Sequence, residues 1–251
     1  MKKQVLIILF IFSVSGLFSQ GSVVDSTLRM SLFQFQGGVH QPFGDMADKY
    51  GANASVGFSY AYKTGKNFLF GADFNFLFGN TVKDQNELFR ALRNSNGQVV
   101  GINEEFVNPL ILERGYAAGF YIGKIFDVIG PNPNSGIVVK VGLEYLEHRT
   151  RIETRQDEYP PLDGEYLKGY DRKIAGLAIY EFIGYQHFSN KRYANFFAGF
   201  DFYQGFTTDY RSYNFDQMQK TNSDYFDVLI GFRAGWVIPI YKRFANKFYI
   251  N

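Results

Sequence analysis

The chain has 251 residues, 19% of them aromatic (28 Phe, 18 Tyr, 1 Trp), with 26 Gly and no Cys. The lack of cysteine excludes a disulfide scaffold, thiolate metal ligands and a cysteine nucleophile. A formal charge of only +2 leaves no basic footprint for nucleic acid, and a charged fraction of 20% excludes a disordered polar tail.

Met1-Lys2-Lys3 is a basic start, Val5 to Phe18 is an apolar run broken only by Ser and Gly, and Ser19-Gln20 follows. That order describes a secretory signal peptide over residues 1–19. The run falls short of the roughly 20 apolar residues that a helical span needs. Residues 20–251 then form the mature domain. With no second such run downstream, any membrane insertion must be by strands.

From Leu28 onward the apolar period is two. Ala54, Val56, Phe58, Tyr60 and Tyr62 alternate with Asn53, Ser55, Gly57, Ser59 and Ala61. The even residues from Phe68 to Phe78 alternate with Leu69, Gly71, Asp73, Asn75, Leu77 and Gly79. Further alternating segments start at Tyr116, Ile137, Phe196 and Phe226. Leu28 to His40 and Lys173 to Phe188 are less regular, and bring the expected total to eight strands. Connections alternate in length. Residues 64–67, 130–135 and 190–192 are turns, whereas 41–52, 81–114, 150–172 and 208–224 are long loops. Short turns at one end and long loops at the other is the plan of an all-β, eight-stranded, antiparallel up-and-down transmembrane β-barrel with long extracellular loops. A soluble barrel would turn its aromatic face inward and show water a Lys- and Glu-rich exterior. Here the polar face is mostly Gly, Ser, Asn and Ala, which suits a narrow interior.

These segments resemble the small eight-stranded outer-membrane β-barrels of diderm bacteria, the OmpA/OmpX-like superfamily, over the whole mature chain. The resemblance implies an outer-membrane location with both termini in the periplasm, and carries over no functional residue. One departure is the C-terminus. Pro239 interrupts the eighth strand and predicts a bulge or strand end near Ile238, because Pro donates no ladder hydrogen bond. Residues 242–251 form a tail.

An eight-stranded barrel is just wide enough for its own side chains to fill. The inward positions are expected to be Asp73, Asn75, Lys140, Glu144, Asp201 and Arg233, with Glu181 assigned there too. Buried charges must pair, which predicts a structural network centred on Arg233. The three histidines, His40, His148 and His187, lack the shared close spacing of a zinc site. There is no G-x-S-x-G, and no catalytic residue, cofactor or metal is expected.

In the second long loop, Asp84 to Glu87 has the form of a capping box, followed by Leu88, Phe89 and Leu92 on one helical face. Tyr159, Tyr166 and Tyr170 mark the third loop, and Tyr210 and Tyr213 the fourth. Tyr is favoured at protein interfaces, so these residues are a candidate partner surface, with loop packing as the alternative. Lys63, Lys66, Lys191 and Arg192 mark the periplasmic rim, where cationic side chains snorkel to headgroups. The expected partners are outer-membrane lipid and other envelope proteins. The expected role is a non-enzymatic structural or interaction module, alone or as a subunit of a larger outer-membrane assembly. A carrier of small hydrophobic molecules and an outer-leaflet lipid-modifying enzyme are the alternatives.

Overall fold

The computed structural model describes residues 26–83, 88, 99–100, 106–107, 109–153, 166–190, 194–211, 213–215, 218, 220 and 222–241. The leader at 1–19, the capping box at 84–87, Phe89, Leu92, Tyr159 and the tail at 242–251 lie outside the described residues.

Strands β1 (Met30–Gly44), β2 (Asn53–Lys63), β3 (Phe68–Gly79), β6 (Leu110–Phe126), β7 (Gly136–Glu153), β8 (Ile174–His187), β9 (Phe196–Asp209) and β10 (Asp224–Tyr241) close into one barrel. Every neighbouring pair is antiparallel, and β1 seals the ring against β10. Between β3 and β6 lies a two-stranded hairpin, β4 (Val99–Val100) with β5 (Phe106–Val107). A single turn of helix, α1 (Asp45–Lys49), follows β1.

Register sets which residues share a level. Following paired residues once round the wall runs Phe33, Tyr60, Ala72, Phe120, Leu143, Ile179, Gln204 and Val228, and returns to β1 at Phe43. The path comes back ten residues further along the strand, 43 against 33. Such a stagger demands strands strongly tilted to the barrel axis. All of these side chains point outward, and the outer wall is dominated by exposed Phe, Ile, Leu and Val. Aromatic rings form a continuous row on it, Phe58 to Phe74 to Tyr116 to Tyr145, with centroids 5.7, 5.9 and 5.9 Å apart. A surface this apolar is what hydrocarbon contact requires, and the molecule is a transmembrane barrel with a polar interior.

Inside, large and small residues alternate. On the level of Leu32, Ala61, Gly71, Tyr121, Gly142, Tyr180, Tyr203 and Leu229, the Tyr121 ring lies over the bare backbone of Gly71, and Gly142 leaves room beside the Tyr121 Cβ. Glycine here makes room for tyrosine, so the two residue types that dominate the composition are complementary parts of one packed core.

β10 runs straight through Pro239, which pairs with Leu32, so the expected bulge is absent. The reason lies in the alternation of the ladder. Val237 donates its N–H to Asn195 on the β9 side, so residue 239 would aim its N–H the same way. The β9 pairing has already ended there, at Phe196 opposite Trp236. Pro239 therefore forfeits no bond.

Candidate functional site: a sealed, charged lumen and two polar breaks in the outer wall

Among the described residues, buried side chains pack at both ends of the barrel. At the turn end, Asn134 from the β6–β7 turn reaches inward. Its Oδ1 accepts from the Leu28 N–H and from Lys63 Nζ, both at 2.8 Å, and its Nδ2 donates to the Ser26 carbonyl at 2.9 Å. Lys63 is thus wholly buried instead of snorkelling outward as its rim position suggested. Asn132 ties the same turn to the β8–β9 connection through the Phe188 carbonyl (2.6 Å). At the loop end, α1 packs against β1 and β10 with Met46 buried, and Tyr50 just after it is buried against Thr150 and His148. Gly44 (φ 63°) makes the sharp entry, where a side chain would meet the Phe226 carbonyl, and Asp45 accepts the Phe226 N–H at 2.7 Å.

Between these ends lie buried polar side chains, with Asp201 and Asp73 as the carboxylates around Arg233. Asp73, Asn75, Lys140, Glu144, Asp201 and Arg233 all point inward and are buried. Arg233 Nη2 donates to Asp201 Oδ2 (2.7 Å) and to the Tyr203 hydroxyl (2.6 Å), while Nη1 stands 3.7 Å from Asp73. Its guanidinium also lies 5.6 Å from the Tyr180 and Tyr203 ring centres. Asn75 bridges Asp73 (3.1 Å) to Gln36 (2.7 Å). Lys140 occupies a cage of Tyr121, Phe182 and Phe197, its Nζ 4.6–5.1 Å from the three ring centres. Cation–π attraction is strongest for desolvated cations, so this cage offsets part of the cost of burying the ammonium. Asp73 and Glu144 sit on one level with only Gly119 between them.

Two features were not foreseen. His40 Nε2 shares Asp201 Oδ2 with Arg233, at 3.0 Å, which ties β1 into the network. Toward the loop end, His148 Nε2 bonds Asp227 Oδ2 at 2.9 Å, and Thr207 donates to the same oxygen at 2.5 Å. The parity that placed Asp201 and Arg233 inward also applies to His40 and Asp227. The sequence signal was therefore present, but pairing between distant strands is visible only through the barrel's stagger.

Glu181 is a correction. Tyr180 and Phe182 are the inward residues of β8, both about 1% exposed, and Glu181 between them points outward. It lies at mid-strand, paired with Val141 and Phe202 and flanked along β8 by Ile179 and Ile183. Gln204, also outward, is its diagonal neighbour on β9, two residues beyond Phe202. Together they make a polar break in the apolar wall.

The second break is at the loop end. Arg114 on β6 and Arg149 on β7 are direct cross-strand partners on the outer face, with Arg151 one outward position further on. Beside them Asp171 accepts two bonds from Arg211 (3.0 and 2.6 Å), which hold that guanidinium above its ordinary pKa range.

Of the expected loop contacts, Leu88 and Tyr170 are buried in the core cluster instead of being presented to a partner, Tyr170 packing edge-on against Phe215. Tyr210 and Tyr213 are exposed, and Tyr166 opens a short 3-10 helix (Tyr166–Gly169). No group of three metal-ligating side chains occurs among the described residues.

The class these features define is a small transmembrane β-barrel with a side-chain-filled lumen. Among solved structures the chain is similar to the Pseudomonas aeruginosa outer membrane protein OprG (10% identity, TM-score 0.47, covering 88% of this chain and 100% of that one). It is also similar to the Neisserial surface protein A (11%, 0.45, 85% and 97%) and to the Yersinia pestis attachment invasion locus protein Ail (8%, 0.40, 84% and 99%). No family model and no curated protein matches the sequence.

The packed lumen makes a direct prediction. The folded protein reconstituted in planar bilayers is expected to carry no steady open-pore current, because Arg233, Tyr180 and Tyr203 are buried within an eight-stranded lumen just wide enough for its own side chains. Reproducible unitary conductance in single-channel recordings would contradict it.

Proposed function

We propose that the protein is an outer-membrane interaction module, a barrel that docks sideways onto another membrane-embedded protein through the outward polar pair Glu181 and Gln204. Glu181 carries the reading. An ionisable side chain on the lipid face of a barrel is destabilising in a depth-dependent way, by less for Glu than the ~2–4 kcal/mol of Arg or Lys at the midplane. Hydrocarbon offers it no hydrogen bond, and such groups in membranes mark contacts or pathways. Among the described residues the lumen is filled by buried side chains, which favours a contact over a pathway. The partner is a membrane protein presenting a cation, amide or hydroxyl at the same depth. The leader expected at residues 1–19 supports export, with the turn end periplasmic and the long loops outside.

Glu181→Leu is the test. In lipid-only vesicles the variant is expected to fold and to gain about 1 kcal/mol in urea unfolding, since a polar group has left the hydrocarbon. Extracted from native membranes in mild detergent, wild type is expected to run with a stoichiometric companion that Glu181→Leu loses. A wild-type barrel that is strictly monomeric, or a companion that the variant keeps undiminished, would sink this function.

A further inference from the structure

The geometry points to a proton-binding site in the middle of the lumen, where the carboxyl groups of Asp73 and Glu144 hold one proton between them and so tie β3 to β7 across β6. The first observation is register. Asp73 pairs with Gly119 and Gly119 pairs with Glu144, so the two acids stand on one level with a single strand between them. Adjacent strands lie about 4.8 Å apart, which puts the two Cα atoms roughly 10 Å from each other along the wall. Gly119 has no side chain to fill that span, and the Glu144 Cγ lies over it, 2.6 Å from where a Cβ would stand. The two carboxyls meet above this bare backbone as hydrogen-bond partners.

The second observation is the surroundings of Glu144. The residue is 1% exposed, and among the described residues neither Oε1 nor Oε2 meets an N–H or ordinary O–H donor. The groups that could serve are engaged elsewhere. Arg233 gives Nη2 to Asp201 and to the Tyr203 hydroxyl, and turns Nη1 toward Asp73 Oδ2 at 3.7 Å. Lys140 stays in its aromatic cage, with Gln34 Oε1 3.4 Å away. The Tyr121 hydroxyl pairs with Ser59 Oγ (2.8 Å), and His40 with Asp201. On Asp73, Oδ2 accepts from Asn75 and faces Arg233, while Oδ1 meets no such donor either.

Carboxyl chemistry connects the two observations. Two ionised carboxylates are acceptors only and cannot hydrogen-bond to each other. One proton makes one of them an O–H donor and leaves the other as its ionised acceptor, the pairing that gives short, strong hydrogen bonds. Like charges held this close do not both ionise, and a single proton relieves the conflict. β3 and β7 are not neighbours in the ring, since β6 lies between them. The shared proton therefore makes a tie across the wall that no backbone ladder supplies, and the missing side chain at Gly119 admits it.

The site is independent of the Glu181 contact. Its test is infrared difference spectroscopy of the full-length barrel in phosphatidylcholine vesicles at neutral pH, in H2O and D2O. Wild type minus Glu144→Gln is expected to show loss of one protonated-carboxyl carbonyl band, which moves down in D2O, with no loss of carboxylate intensity. Wild type minus Asp73→Asn is expected to show the same loss, because either amide leaves a lone carboxylate that no longer needs the proton. Both amides can donate N–H to the carboxylate that remains, so both variants are expected to fold, as the heat-dependent mobility shift on gels checks. Glu153→Gln, at the loop-end rim, calibrates the method by losing one carboxylate instead. Loss of carboxylate intensity in the Glu144→Gln difference overturns the site, since both groups are then ionised. A protonated band that Glu144→Gln removes and Asp73→Asn keeps overturns the sharing, leaving a proton on Glu144 alone.

Discussion

Arg233→Ala is expected to destabilise the barrel by about 3–5 kcal/mol, the range for removing one member of a buried ion pair and leaving its partners uncompensated. The substitution strips Asp201 of its 2.7 Å bond, removes the cation facing Asp73, and takes the donor from the Tyr203 hydroxyl. It also opens a void in the layer where Tyr180 and Tyr203 flank the guanidinium. Urea unfolding in lipid vesicles, followed by the heat-dependent mobility shift on gels, measures the loss. A cost below 1 kcal/mol would mean that the carboxylates find water or other donors, and that the network is not the tie between strands described above. Asp201→Leu/Arg233→Met separates charge from packing. Replacing both partners with apolar groups is often neutral, so the double variant should cost less than Arg233→Ala alone.

How much of this was legible beforehand depends on how clean the alternation is. In β3, Asp73 and Asn75 interrupt a run of Phe at strict period two, so the inward face follows from the sequence and the structure agrees. In β8 both faces are apolar, Leu177, Ile179 and Ile183 on one and Ala178, Tyr180 and Phe182 on the other. Hydrophobicity then fails to assign the parity, and a lone Glu goes by default to the lumen. Gly176 and Gly184 share the parity of Tyr180 and carry the glycine signature of the inner face, which was the available clue. Lys63 illustrates a different limit. A lysine at a strand end suits headgroup contact, and only the folded turn shows Asn134 reaching across to receive it. The Arg114–Arg149 opposition was invisible for a related reason. It depends on the stagger between β6 and β7, which one strand read alone does not contain.

Glycine at the inner wall gives the second large effect. Gly119 lies between Asp73 and Glu144 on one level, and a Cβ built there meets the Leu143 carbonyl and comes within 2.6 Å of the Glu144 Cα and Cγ. The Glu144 side chain can swing aside, but the Leu143 carbonyl and the Glu144 Cα are backbone of the paired strand and move only if the β6–β7 ladder opens. Gly119→Val is therefore expected to cost about 3 kcal/mol, the upper part of the range for overpacking a filled core. Valine's β propensity works in the opposite direction, so a loss must come from the lumen and not from the strand. Ala118→Val is the control. It sits one residue away on the same strand, paired with Phe74 and Tyr145 on the outer face, where added methyls meet hydrocarbon. Its expected change is within 0.5 kcal/mol, roughly the scale of a benign surface substitution. Unfolding midpoints for the two variants in the same vesicles decide the matter. Equal costs would mean that crowding inside the barrel does not account for its glycines, and a large cost for Ala118→Val alone would reverse the assignment of faces on β6.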